Sequence, residues 1–194
     1  VGERVRLWKV GDSVMAVTGV AGFAEKTVCH ERQLMLVPST VPLGEAAAIP
    51  EVWITAWDAL VAQGGLGSGQ VALVHAGGSG VGTAAIQIAK AIGATIVVTC
   101  SASKVERCRQ LGADVAVDYR DGDYVEACRA FTAGRGVDVV LDVVGGDYVE
   151  RNLDALAQRG RVVQVGAMAD GRAAFPFGKL MTKRASLIGT VLRP

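Results

Sequence analysis

Eight residues constrain this chain more than any others: His75-Ala76-Gly77-Gly78-Ser79-Gly80-Val81-Gly82. They follow an apolar β-like run, Val71 to His75, and open a helix-patterned run that reaches Ala91. Gly78-Ser79-Gly80 with Gly82 approximates G-x-G-x-x-G, the last glycine standing one place early. A strand that turns straight into a helix needs a tight turn. A turn free of side chains lets an anionic group approach the backbone, where the helix N-terminus offers unpaired N–H groups and partial positive charge. In this strand–loop–helix setting the reading is dinucleotide binding; the alternative is a tight turn that binds nothing.

The rest of the chain repeats the pattern. Strands are expected over 71–75, 94–100, 113–117, 137–143, 161–165 and 186–192. Helices are expected over 82–91, 104–111, 124–131 and 148–156, with another around Leu180. The strands are apolar on both faces, as in parallel sheets covered by helices on both sides. The fold class expected is α/β, a doubly wound parallel sheet of the Rossmann kind.

Residues up to about Pro50 read differently, as short β-like pieces over 14–17, 22–28 and 34–37 separated by turns. Pro42 opens a short helix over 43–48. Trp53, Trp57, Leu60 and Val61 are helically spaced in a run from Glu51 to Gln63 that stops at Gly64-Gly65. The expected organisation is a small β-rich part, residues 1–50, and a dinucleotide-binding domain, residues 51–194.

Composition narrows the partners. Twenty Lys and Arg against 19 Asp and Glu leave a net charge of +1, with no basic patch for nucleic acid and no polybasic run for a membrane surface. No apolar stretch approaches the ~20 residues of a membrane span. The first residues lack the apolar core of a secretory signal. The four cysteines, Cys29, Cys100, Cys108 and Cys128, form no C-x-x-C pair, and scattered thiols suit a reducing compartment, so a cytoplasmic protein is expected. Cys29 and His30 are adjacent, so on a strand they would face opposite ways, and no second ligand cluster accompanies them; no metal site is expected.

A second strand that binds NAD usually ends in Asp or Glu, which holds the ribose 2′-hydroxyl. Here it ends in Thr99-Cys100-Ser101-Ala102-Ser103-Lys104. Small hydroxyls and a lysine suit a 2′-phosphate instead, so NADPH is the expected cofactor; for Lys104 the alternative is an ordinary first-turn surface lysine. Ligands of doubly wound sheets lie outside the carboxyl ends of the strands. That directs attention to Val143-Val144-Gly145-Gly146, to Val165-Gly166-Ala167-Met168, and to Tyr119 after the third strand; each also reads as an ordinary turn or loop residue. His75 reads as a packed or backbone-bonded histidine, and Asp142 as a hydrogen-bonded structural acid near its strand end.

Several separated motifs carry a resemblance over essentially the whole chain. Trp8-Lys9-Val10-Gly11-Asp12 with Val14-Met15-Ala16, Ala46-Ala47-Ala48-Ile49-Pro50-Glu51 with Thr55-Ala56, and His75 through Gln87 resemble the medium-chain dehydrogenase/reductases. Within them the chain looks most like the quinone oxidoreductase (zeta-crystallin-like) group, and closest to its tumour-suppressor-inducible branch. The resemblance implies that residues 1–50 are part of a GroES-like β domain. It implies a zinc-independent enzyme moving hydride from NADPH to a quinone or similar electrophilic carbonyl. Carried over by position, Ser79, Gly80 and Val81 would meet the pyrophosphate. Lys104 and Tyr119 would contact the 2′-phosphate, assisted by Ser101 or Ser103. Thr55 would lie near the nicotinamide amide, with Val143 and Gly166, Ala167 and Met168 lining its pocket. The family also implies a homodimer through strand 186–192. Against the family pattern the sequence starts inside the GroES-like domain and stops after the last Rossmann strand, so the substrate-facing catalytic side chains are not assigned. Other readings are an enoyl thioester or alkenal reductase of the same superfamily and a truncated, non-catalytic nucleotide-binding module.

Overall fold

The computed structural model describes residues 1–192. The chain divides into two compact units, Val1–Val52 and a second beginning at Trp53.

In the first unit, β1 (Val14–Met15) pairs antiparallel with β2 (Met35–Leu36), Val14 opposite Leu36. One helical turn, Glu31–Gln33, is closed at its start by a reciprocal cap. The Arg32 N–H donates to His30 Nδ1 at 3.2 Å, and the His30 N–H donates to Gln33 Oε1 at 3.2 Å. The Glu31 carboxylate accepts the N–H groups of Arg6 (2.8 Å) and Leu7 (3.0 Å), which hold its pKa below the ordinary value. The strand expected over 22–28 does not form. An extended segment needs a ladder partner for its N–H and C=O groups, and β1 and β2 pair only with each other; Phe23 and Val28 accordingly lie exposed. The helix expected over 43–48 is one short turn, Ala46–Ala48.

Helix α1 (Pro50–Trp57) continues as a wider π-type turn, Asp58–Gln63, before the chain leaves at Gly64. The second unit then alternates strand and helix. β3 (Val71–Val74), α2 (Gly80–Ala91), β4 (Thr95–Cys100), α3 (Ala102–Gln110), β5 (Val115–Asp118) and α4 (Tyr124–Phe131) come first. β6 (Val137–Asp142), α5 (Tyr148–Ala155), β7 (Leu156–Gln164), α6 (Phe177–Lys183) and β8 (Ser186–Gly189) follow. All pair in parallel, in the order β5-β4-β3-β6-β7-β8. This is the doubly wound arrangement that the alternation implies. Every residue of β3 is buried, since helices cover both faces of the central strands.

Most strands shift by a residue or two from the expected limits, β5 for example running Val115–Asp118, and two depart further. β7 starts at Leu156 rather than Arg161, because Leu156 pairs with Val137 across an irregularity in the β6–β7 register. β8 ends at Gly189, short of the expected 192, although the Thr190 N–H still donates to the Gln164 carbonyl of β7 at 3.0 Å. Helix α2 begins at Gly80 rather than Gly82, because Ser79 caps it by accepting the Gly82 N–H at 3.1 Å.

The strand order fixes where a site can lie. From β3 the chain winds outward to β4 and β5, then crosses back to β6 on the other side of β3. Connections therefore leave β3 and β6 in opposite directions, opening a crevice at their carboxyl ends.

Candidate functional site

The turn leaving β3 enters that crevice and is built by packing. Ala76 adopts a left-handed φ of 56°, a conformation tolerated only where the surroundings impose it. The Gly77 N–H donates to the Thr99 carbonyl at 2.8 Å, which ties the turn to β4. A Cβ on Gly77 would fall 2.6 Å from Val98 Cβ, and one on Gly82 would collide with the Ala76 carbonyl oxygen and the Gly77 backbone. Gly77 thus lets the turn lie close against β4, and Gly82 lets the helix start fold back onto its own turn. At the head of α2 the N–H groups of Gly80 and Val81 have no acceptor among the described residues. Two unpaired donors at the positive end of a 12-residue helix suit an anion.

Beside the turn lies a cavity of about 350 Å³. Ser79, Ser101, Lys104, Tyr119 and Met168, all expected site residues, line it. So do Ala76, Gly78, Thr99, Cys100 and Val144, from segments the sequence singled out without naming them as contacts, and Tyr148, to which it did not point. Lys104 is the one charged side chain in this wall. Its stem crosses Gly78, where a Cβ would strike Lys104 Cδ, and its Nζ donates to the Gly78 carbonyl at 3.1 Å. Ser103 stands next to Ser101, Oγ to Oγ 3.4 Å. Tyr119 lies under the Arg120 guanidinium, 5.6 Å from carbon to ring centre. The Cys100 thiol is pushed up to about 12, by burial first and then by the neighbouring Cys108, so the wall carries it as a neutral thiol.

The other expected residues lie elsewhere. Gly80 and Val81 form the first turn of α2, outside the cavity lining. Val143 and Gly166 meet through the backbone: Met168 N–H donates to the Val143 carbonyl at 3.2 Å, and that carbonyl oxygen lies 3.3 Å from where a Gly166 Cβ would be. Ala167 borders a smaller cavity of about 180 Å³ with Gly145 and Gly146. Thr55 sits within α1 and lines neither cavity.

Under the crevice runs a buried polar chain that includes His75, read from the sequence as a packed or backbone-bonded residue, and Asp142, read as a hydrogen-bonded structural acid. His75 Nδ1 is 2.9 Å from Thr99 Oγ1, and Nε2 is 2.7 Å from Asn152 Oδ1. That amide oxygen also accepts the Tyr124 hydroxyl at 3.2 Å, and Asn152 Nδ2 donates to Asp142 Oδ2 at 2.8 Å. Asp142 Oδ1 accepts the N–H groups of Val144 (2.6 Å) and Gly145 (3.1 Å). His75, Thr99, Asp142 and Asn152 are all buried. Since an amide oxygen only accepts, His75 must donate from Nε2 and accept the Thr99 hydroxyl at Nδ1. Burial holds the His75 imidazole below the ordinary histidine value, against the opposing pull of Asp142. Tyr148 and Tyr124 flank it, each ring centre 4.8 Å from the imidazole. The sequence signal for this chain was faint: polar residues at three strand ends and inside α5, whose meeting depends on strand order.

A bare-backbone turn, unpaired helix N–H groups and a crevice at the topological switch point together define a Rossmann-type nucleotide-binding unit. The sequence profile of the zinc-binding dehydrogenase family matches residues 80–194, and the chain belongs to that family, within the medium-chain dehydrogenase/reductase superfamily. It is 35% identical to the bovine quinone oxidoreductase-like protein 2, over 97% of this chain and 54% of that protein. Among solved structures it is similar to the quinone oxidoreductase of Pseudomonas syringae pv. Tomato DC3000 (34% identity, TM-score 0.83, all of this chain, 59% of that one). It is also similar to the JamJ enoyl reductase (30% identity, TM-score 0.84, 98% of this chain, 57% of that one). The chain thus spans little more than half the length of each of these relatives.

The residues present do not fit the zinc named in the family description. Among the described residues no three His, Cys, Asp or Glu side chains come close enough to share a metal ion. His30 already uses Nδ1 to cap its own turn. No helix among the described residues is long and apolar enough to cross a membrane.

Proposed function

We propose that this chain is the cofactor-binding part of a zinc-independent, NADPH-dependent quinone oxidoreductase. The observation that carries the cofactor choice is the wall at the end of β4: Lys104 with Ser101 and Tyr119, and no carboxylate. A dianionic 2′-phosphate gains charge-assisted hydrogen bonds from such a set, whereas a ribose 2′-hydroxyl needs an acceptor. Support for the acceptor class comes from the likeness to quinone oxidoreductases.

Bound NADPH would supply the hydride; the chain's own residues bind and orient it. Ser79, Gly80 and Val81 would take the pyrophosphate through the start of α2. Lys104, Ser101, Ser103 and Tyr119 would hold the 2′-phosphate. Val143, Gly166, Ala167 and Met168, with Thr55, would border the nicotinamide end and keep water from it. No catalytic side chain is assigned. The reading extends to a cytoplasmic homodimer. Among the described residues β8 is one of the two edge strands of the sheet, β5 being the other, and its free ladder groups can pair with those of a second copy.

The test is a fluorescence titration with NADPH and, separately, NADH. The wild-type chain should prefer NADPH. Lys104→Ala should erase most of that preference, roughly tenfold or more for one charge-assisted contact of about 1.5–3 kcal/mol, while leaving NADH affinity unchanged. Equal affinity of the wild type for both cofactors refutes the phosphate reading.

One observation favours a second reading, an enoyl thioester reductase with the same hydride chemistry: the likeness to an enoyl reductase structure over 98% of this chain. Faster turnover of an enoyl thioester than of any quinone, by a protein carrying this unit, would select it.

A further inference from the structure

We infer that the buried chain Thr99–His75–Asn152–Asp142 is a positioning device. It sets three segments of the nucleotide groove against one another, through a neutral His75 that carries its proton on Nε2. The inference rests on reading the groove as a dinucleotide site.

Each end of the chain grips a piece of the groove. Thr99 and Ala76, the residue after His75, are both wall residues. Thr99 is bound to His75 through its hydroxyl at 2.9 Å and to the glycine turn through its carbonyl, which accepts the Gly77 N–H at 2.8 Å. At the far end Asp142 holds the Val144 N–H at 2.6 Å, and Val144 is a wall residue too. Asn152, from α5, joins the halves: its oxygen accepts from His75 and Tyr124, and its nitrogen donates to Asp142. The β3 turn, the end of β4 and the end of β6 are therefore spaced by one run of directional bonds. Apolar packing alone would let these strand ends slide by a few tenths of an ångström; buried hydrogen bonds resist that, because a shifted donor is left unsatisfied.

The donors are ordered one way. Thr99 donates to His75, His75 to Asn152 and Asn152 to Asp142. An Nδ1–H tautomer would leave Nε2 and the Asn152 oxygen as two acceptors 2.7 Å apart. The titratable groups around the chain are Asp142 from β6, Tyr124 and Cys128 from α4, Tyr148 and Arg151 from α5, and Tyr119 after β5, which faces Tyr148. Arg151 lies over the Tyr124 ring at 4.3 Å and pairs with Asp123 at 3.1 Å.

Asn152→Asp tests the ordering. The introduced carboxyl keeps an acceptor for His75 and Tyr124 but faces Asp142 with an oxygen, so the variant network needs one proton more than the parent. Its affinities for NADPH and NADH should fall together, about tenfold or more, as pH rises from about 6 to about 8.5, while the parent changes by less than about threefold. A pH-independent variant overturns the inference. Should Asn152→Asp fail to fold, Tyr124→Phe serves: it deletes one hydroxyl behind the wall and should weaken both cofactors about twofold or more; unchanged affinity overturns the inference.

Nitrogen-15 NMR of the imidazoles in the parent chain is an independent arm. The sequence has two histidines, and His30→Gln assigns the spectrum. His75 should show the neutral Nε2–H pattern throughout about pH 6 to 8. An imidazolium or an Nδ1–H pattern overturns the inference. A parent that binds neither NADPH nor NADH would sink the functional reading, and the NMR arm would still judge the network.

Discussion

Replacing Gly82 with alanine sets two calculable effects against each other. In an ordinary helix, Gly→Ala gains up to about 1 kcal/mol of helix propensity. At Gly82 the new methyl would meet the Ala76 carbonyl oxygen and lie 2.6 Å from the Gly77 carbonyl carbon and Cα. All three are backbone atoms of a turn pinned to β4 by the Gly77–Thr99 bond, so none can swing aside as a side chain would. Overpacking of this kind costs about 1–3 kcal/mol, so set against that gain the net effect is a loss of up to about 2 kcal/mol. For a unit of this size that lowers Tm by up to about 8 °C. The strain is relieved by lifting the start of α2, which moves the Gly80 and Val81 N–H groups. NADPH and NADH affinity should then fall by the same factor, about tenfold per 1.4 kcal/mol lost. Gly178→Ala is the control: it is also near the start of a helix, but nothing lies within 4 Å of the added methyl, so it should be neutral or stabilising. The assays are thermal unfolding followed by circular dichroism and the two cofactor titrations. A Gly82→Ala variant as stable as the Gly178→Ala control would refute the packing argument. Loss of NADPH affinity alone would refute the link to the pyrophosphate.

Three further outcomes follow from other parts of the structure. His75 has a folded pKa below its unfolded value of about 6.5, so the unfolded state binds the extra proton first; stability is full above about pH 6.5 and declines as pH falls below it. Melting between about pH 5 and 8 should show that decline in the parent and a shallower one in His75→Gln; parallel slopes would contradict it. Cys100, Cys108 and Cys128 are buried while Cys29 is partly exposed, so an aromatic disulfide reagent should titrate one thiol rapidly under native conditions and the other three only on unfolding. Asp123 caps α4 by accepting the Val125 N–H at 2.9 Å, so Asp123→Ala should lower stability by about 1 kcal/mol in urea unfolding.

The glycine turn, the strand–helix alternation and the Thr99-to-Lys104 segment were legible because local physics writes them. A helix after an apolar strand needs bare residues at the turn and a capping hydroxyl, and the sequence supplies Gly77, Gly82 and Ser79 at those places. Runs such as Val71–Val74 announce burial on both faces by carrying no polar residue. The first fifty residues were less legible. Gly22 to Val28 alternates like a strand, but alternation states a preference, and a strand exists only where a second one pairs with it.

By itself, the sequence therefore determined the class of fold, the position of the nucleotide turn and the chemistry at the end of β4, since each is written in residues close together along the chain. That β6 lies against β3, and so that Asp142, Asn152 and His75 join in one buried chain behind the groove, came from the assembled sheet. It also decided that Tyr148, from the start of α5, closes the same cavity as Lys104 from α3. These contacts join residues up to 77 positions apart. They depend on strand order and helix packing, which the periodicity of any one segment does not contain.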